Sequence, residues 1–468
     1  MAKKMTFAIF VTNRGFMPGE LIHGAREDMK KAVKKAGYDY IIMDEKLTRF
    51  GGIETRDEGI LYAEWLKKNE GKFDGVILCC PIFADENGAA WALKDCKKPI
   101  LIQAYPDEIG KMDFKYRRDA YCGKFSLTDV FDQYGICYSL TKSWVVDPLT
   151  KEFQQDLHDF AATCRVVNKM RDCNIGAIGA RTTAFKTVRF DEVACQKYGI
   201  NIESFDLSEL VFEVGKLKDS DKKVAAKLKV LNAYTNFKNV PKKNQLTLAK
   251  IGVVVDKYIE DYHLDAISLR CWNEMETILR VCPCVLLSEL NDRGIPASCE
   301  MDIESCIAMF AMRLASDGPA ACLDWNNNYG TDPDKVVLFH CGPVAQSLMA
   351  DKGTVLEHKM FAKGDPGSGW GTNEGRIAAF PCTISNCKIR DGKINLYVSE
   401  AEMTDDVIED GYFGVAGVCH IPDLQCKLEK LARGGFKHHT AIAKGHMKKV
   451  LEDAFRYYLG YNVVDIDK

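Results

Sequence analysis

Three short stretches carry residues able to bind a divalent ion and move protons. In Ile295-Pro296-Ala297-Ser298-Cys299-Glu300-Met301-Asp302, two acids follow a predicted strand and open a predicted helix. Asp302 suits a helix N-terminus, where a carboxylate meets unpaired backbone N–H groups. Glu300 sits where a strand end would deliver it to a site. In Ala320-Ala321-Cys322-Leu323-Asp324-Trp325 an apolar strand ends in an acid, with an Asx turn as the plain alternative. In the segment 434–446, three of the chain's nine histidines fall at His438, His439 and His446. His438 and His439 are adjacent, so one of them faces a given ion, and a surface pair or a helix-end histidine is the plain alternative. His340 closes the apolar run 336–339 and reads equally well as a core histidine. Two carboxylates plus an imidazole make a mixed oxygen and nitrogen donor set. Such a set suits Mn²⁺, Fe²⁺, Co²⁺ or Zn²⁺ better than Ca²⁺.

The elements around these residues alternate. Residues 6–11, 38–43, 75–80 and 99–104 read as strands, and 19–36 and 56–68 as helices. Short strands alternating with helices predict a parallel sheet covered on both faces. The loops after the strands, Thr12-Asn13-Arg14-Gly15 and Pro81-Ile82-Phe83-Ala84-Asp85, then lie where ligands of such sheets bind. A long helix over 152–171 leads to a second α/β series with a helix at 246–260, a strand at 266–269 and helices near Val285 and Ile303. From Val336 to Tyr397 apolar runs alternate with glycine-rich turns, which predicts an antiparallel sheet or small barrel. Two helices are predicted to close the chain, at 424–432 and 446–458. The expected class is therefore α/β, with two doubly wound parallel-sheet domains at 1–165 and 166–317 and a β-rich, barrel-like domain at 318–468.

The chain has 468 residues, a formal net charge of -3 and 19 cysteines. That charge gives no electrostatic case for nucleic acid or an anionic membrane. No apolar run reaches the roughly 18 residues of a membrane span. An odd, scattered set of cysteines predicts a reducing cytoplasm.

Cys299-Glu300-Met301-Asp302, Leu323-Asp324-Trp325 and His438-His439-Thr440-Ala441-Ile442-Ala443-Lys444-Gly445-His446 together resemble the three signature stretches of the L-fucose isomerases. They are similar, more distantly, to those of L-arabinose isomerases. Arg270-Cys271-Trp272 resembles the segment that precedes the site in that family. The resemblance implies that Glu300, Asp324 and His439 bind Mn²⁺, with Glu300 and Asp324 also acting as the acid/base pair of an aldose–ketose isomerase. It places His340 near the second metal histidine of the arabinose enzymes. It implies sugar contacts at Arg14, Phe83, Arg270, Trp272 and His438, and a homohexamer with active sites shared between subunits. The chain departs from the family pattern where His438 replaces an asparagine and where Pro81-Ile82-Phe83-Ala84 replaces a tryptophan-bearing strand end. These departures fall on sugar-contacting positions, so they bear on which sugar is used more than on the reaction.

Two other readings compete. A sugar-binding or regulatory protein could keep this fold without turnover, but it would have no need of both carboxylates and the histidine. A nicotinamide-dependent oxidoreductase finds little support, because Ile175-Gly176-Ala177-Ile178-Gly179-Ala180 lacks the full glycine spacing and the acid that should follow.

Overall fold

A computed structural model describes residues 4–362 and 364–467. The chain divides into two compact units, one of residues 1–168 and 453–460, the other of residues 169–452 and 461–468.

The first unit is built on a parallel sheet of β1 (Thr6–Val11), β2 (Asp39–Ile42), β3 (Gly75–Cys80), β4 (Ile100–Ala104) and β5 (Ser139–Leu140), in the order β2-β1-β3-β4-β5. β3 reads GVILCC and is buried throughout, as expected of a parallel strand covered on both faces. The helix Arg56–Lys68 begins at a capping box, in which Thr55 and Glu58 each satisfy the other's backbone N–H. Gly59 lets that helix press against its neighbour, Glu86–Leu93: a Cβ there would stand 2.4 Å from the Gly88 carbonyl oxygen.

The second unit opens with a four-stranded parallel sheet of β6 (Cys173–Ile178), β7 (Ile200–Phe205), β8 (Ala266–Leu269) and β9 (Ala297–Cys299), in the order β7-β6-β8-β9. A nine-stranded sheet follows: β10 (Ala320–Asn328), β11 (Lys335–His340), β12 (Thr354–Glu357), β13 (Trp370–Arg376), β14 (Phe380–Arg390), β15 (Lys393–Met403), β16 (Val415–His420), β17 (His439–Lys444) and β18 (Asn462–Val464). Its strands run β16-β11-β10-β17-β14-β15, and β15 pairs back onto β16 through Glu402↔His420 and Met403↔Cys419. The ring is thus a closed antiparallel barrel, and closure removes the exposed strand edges. Inside it pack Leu323, Leu338, Ile384, Tyr397, Val415 and Ile442. The expected class, two parallel α/β sheets followed by a β-barrel, is the one observed.

Two local expectations change. Asp324 does not end its strand, because β10 runs on to Asn328, paired to β11 with a bulge between Trp325 and Asn327. The polar Asn326-Asn327-Asn328 hid this continuation, since its exposed half carries no apolar signal. The segment at His439 is the strand β17, neither a helix end nor an exposed loop.

A candidate metal centre in the second unit

Three adjacent barrel strands set the geometry. Asp324 on β10 pairs with His439, the first residue of β17, and with Phe339 on β11, one residue before His340. Glu300 arrives from the other sheet, immediately after β9. Glu300 and Met301 both adopt left-handed backbone angles, with φ of 64° and 63°. Non-glycine residues hold such angles only where the surroundings fix them, often at functional sites.

The side chains converge. His439 Nε2 stands 3.2 Å from Glu300 Oε2 and 3.2 Å from Asp324 Oδ1. His438 Nε2 lies 3.6 Å from the same Asp324 oxygen. His340 joins Glu300 and His439 in a set whose ligand-type atoms all lie within 4.8 Å of one another. Four buried atoms here make no hydrogen bond: Glu300 Oε2, Asp324 Oδ1, His439 Nε2 and His340 Nε2. Buried polar atoms without partners are rare and call for an explanation.

The other face of His439 explains why the contacts at Nε2 need a cation. Its Nδ1 lies 2.6 Å from Asp302 Oδ2, deep in the protein, and donates its proton there. Its Nε2 faces two carboxylate oxygens, an arrangement that needs positive charge at this point, either a proton on Nε2 or a metal ion in its place. A divalent ion supplies that charge. Atoms that share one ion at about 2.1 Å stand roughly 3–3.4 Å apart, and the 3.2 Å contacts seen here fall in that range. The donor set therefore fits a transition-metal ion.

Electrostatics agree. Burial opposes ionisation of Glu300 and Asp324, but the His439 ring beside them holds both carboxyls below their usual range. Burial likewise disfavours the charged His439 ring, but Cys322, Asp302 and Asp324 outweigh it and raise its proton affinity well above normal. Burial, then the neighbouring His439, pulls His438 below the usual imidazole range.

Behind the histidine lies a buried ionic chain. Lys437 Nζ donates to Asp302 Oδ1 at 2.7 Å and stands 2.6 Å from Glu304 Oε2. Glu304 Oε1 accepts from Arg390 at 2.8 Å. Asp302 also caps the helix Ile303–Ser316, accepting the Ser305 backbone N–H at 3.0 Å. The capping expected of Asp302 is real, and the same carboxylate also orients the histidine. Lys437, Glu304 and the second duty of Asp302 were missed from sequence, although Lys437 directly precedes the histidine pair.

The remaining expected contacts divide between the units. Trp272 donates its indole Nε1–H to Glu300 Oε1 at 3.2 Å, and Arg270 Nε reaches the Trp272 carbonyl oxygen at 3.4 Å while its guanidinium pairs with Glu274. Phe185, not singled out from sequence, follows β6 and lies edge-on to His438 and Trp272, with ring centroids 5.4 and 5.6 Å away. Only its position after a parallel strand could have flagged it. Arg14 and Phe83 belong to the first unit, on the loops after the neighbouring strands β1 and β3. There the Arg14 guanidinium stands 4.4 Å from the Phe83 ring centroid and pairs with Glu86.

Comparison with known proteins adds lineage to this geometry. Residues 8–171 match the fucose/sulfoquinovose isomerase N-terminal domain, and residues 338–467 match the L-fucose isomerase C-terminal domain. The chain belongs to the L-fucose isomerase family. His439 falls within the second match, while Glu300 and Asp324 lie between the two. Among relatives, the sulfoquinovose isomerase of Priestia aryabhattai is 25% identical over 281 residues, covering 59% of this chain and 61% of that protein. The sulfoquinovose isomerase of Clostridium sp. (strain MSTE9) is 26% identical over 207 residues, covering 42% and 44%. The aligned region thus spans about three fifths of the first relative's length.

Proposed function

We propose that this chain is a metal-dependent aldose–ketose isomerase acting on a free sugar of the fucose or sulfoquinovose type. The observation that carries the reading is the convergence of four unpartnered buried atoms, from Glu300, Asp324, His439 and His340, in a member of this family. Glu300, Asp324 and His439 would hold the ion, with Mn²⁺ the expected metal. When bound, a divalent ion supplies Lewis-acid chemistry, chelating neighbouring sugar oxygens and lowering the energy of negative charge that builds on them.

The protein's own groups do the rest. In the aldose-to-ketose direction a proton leaves C2 and returns to C1, while the hydroxyl proton passes from O2 to O1. Glu300 and Asp324, both held ionised, are the pair that shuttles the carbon-bound proton. The Trp272 indole holds Glu300 Oε1 and so fixes the direction of Oε2. His439 stays oriented through Asp302. Phe185 and Trp272 offer apolar ring surface beside the charged groups, which suits the carbon face of a sugar and keeps water out.

An odd number of cysteines, 19, scattered along the chain supports a reducing compartment such as the cytoplasm. A homohexamer is the assembly expected from family resemblance, and sedimentation velocity tests it. The reading is tested by incubating the purified protein with L-fucose, L-arabinose and sulfoquinovose, with Mn²⁺ or with EDTA. Ketose formation should require the metal. Turnover undiminished by EDTA, or none on any of these sugars with Mn²⁺, defeats it; sugar binding without turnover would instead favour a binding protein.

A further inference from the structure

His340 and His439 stand in one cluster, yet their rings are held in opposite senses. The Nδ1 of His439 faces the Asp302 carboxylate at 2.6 Å, so it carries a hydrogen and leaves Nε2 as the nitrogen turned to the metal position. The Nδ1 of His340 faces a donor instead: the backbone N–H of Cys341 points into it at 2.9 Å. A nitrogen that accepts a hydrogen bond carries no proton. A neutral imidazole has one N–H, so in His340 that hydrogen belongs to Nε2.

That Nε2 is buried, its residue only 1% exposed, and it has no hydrogen-bond partner. An Nε2–H cannot ligate a metal ion while its hydrogen is in place. It can donate to an oxygen.

We propose that His340 is a hydrogen-bond donor to a substrate oxygen, through Nε2–H, and not a ligand of the metal. The recipient is a hydroxyl or carbonyl oxygen of the open-chain sugar, at the carbons between which the carbonyl moves. The hydrogen bond strengthens as negative charge builds on that oxygen, and no proton need leave the ring. The two Nδ1 partners thus divide the labour: the Asp302 carboxylate makes His439 a ligand, and the Cys341 N–H makes His340 a donor. This assignment rests on the isomerase reading above, and sets this chain apart from what resemblance to the arabinose enzymes implies for the same position.

The test separates ligand from donor by metal affinity. Metal-stripped wild type, His340→Gln and His340→Leu are titrated with Mn²⁺ by calorimetry, and kcat is measured on the sugar the wild type turns over. Glutamine can place an amide N–H near the position of Nε2; leucine offers no donor. The Mn²⁺ Kd is expected to be unchanged in both. The kcat of His340→Leu should fall by about 10²–10³, the usual loss on removing a donor to a developing oxyanion, with a smaller fall in His340→Gln. A tenfold or greater weakening of Mn²⁺ binding in His340→Gln makes His340 a ligand and overturns the proposal. A wild-type kcat in His340→Leu makes it a core residue and overturns it equally. Should the leucine variant fail to fold, the Kd of His340→Gln still decides. A wild type that binds no Mn²⁺ and isomerises no sugar defeats the isomerase reading itself, a distinct result.

Discussion

At the scale of single residues, the site rests on carboxylates whose neighbours hold them ionised. Glu300→Gln keeps the size of the side chain and its acceptor for the Trp272 indole, but removes the negative charge and the ability to take a proton. Its kcat should fall by at least about 10²–10⁴, the usual yield of a positioned acid/base group, while circular dichroism shows an unchanged fold. Asp324→Asn should do the same, and both variants should weaken Mn²⁺ binding, which calorimetry reads directly. Residual activity near wild type in either variant would remove that residue from the proton path. These two acids were legible in the sequence because each sits in a short motif at the end of an apolar run. Phe185 was not, because a lone aromatic in a loop carries no spacing to read. The tautomers of the histidines were also beyond reach, since they depend on which atom faces each Nδ1.

At the scale of elements, the boundary between β9 and the helix Ile303–Ser316 does two jobs through one carboxylate. Asp302 caps the helix and fixes the ring of His439, which opens β17. Two substitutions separate the jobs. Asp302→Asn can still accept at the cap and at Nδ1 but loses its charge, so the loss should appear mainly in metal affinity, by about 10–100-fold, as when a group orienting a metal histidine is changed. Asp302→Ala also gives up the cap, adding about 1 kcal/mol of destabilisation, and leaves Lys437 with Glu304 as its remaining carboxylate partner. Denaturant titration of the metal-free proteins, set beside Mn²⁺ calorimetry, distinguishes the two; equal metal affinity in all three proteins would refute the orienting role. Most of the elements that carry these residues are readable from pattern alone: the strands 6–11, 75–80 and 266–269 and the helix 56–68 match the observed bounds. β17 was obscured because the charged and ring-bearing Lys437-His438 directly precede its first residue, His439, and the three together read as surface. The continuation of β10 through three asparagines was obscured for the same reason, polar composition masking a paired strand.

At the scale of the whole molecule, stability reflects opposed titrations and the metal together. Burial pushes the Glu276 carboxyl up to about 7. A carboxyl with a raised folded pKa favours the fold in its protonated form. Its contribution is complete below the unfolded value, about 4.3, and is lost as pH rises through 7. Asp467 behaves oppositely. Burial works against its charge, but Lys427, Lys448 and Ser399 hold it down to about 2. Its contribution is present above the unfolded value of about 3.9 and is lost as pH falls towards 2. Metal-free protein should therefore show its highest melting temperature in mildly acidic solution. Glu276→Gln should flatten the decline between pH 5 and 8, about the interval over which that carboxyl titrates, and leave the acid limb in place. Differential scanning calorimetry across pH checks this, and a decline of unchanged steepness in Glu276→Gln would show that the carboxyl does not control it. Metal adds a separate term, because an ion that binds only the folded chain stabilises it by about 2.7 kcal/mol at a concentration a hundred times Kd. Mn²⁺ should accordingly raise the melting temperature of the wild type and of Glu276→Gln alike. It should do so much less for Asp324→Asn, which separates the charge on the metal from the charge in the core.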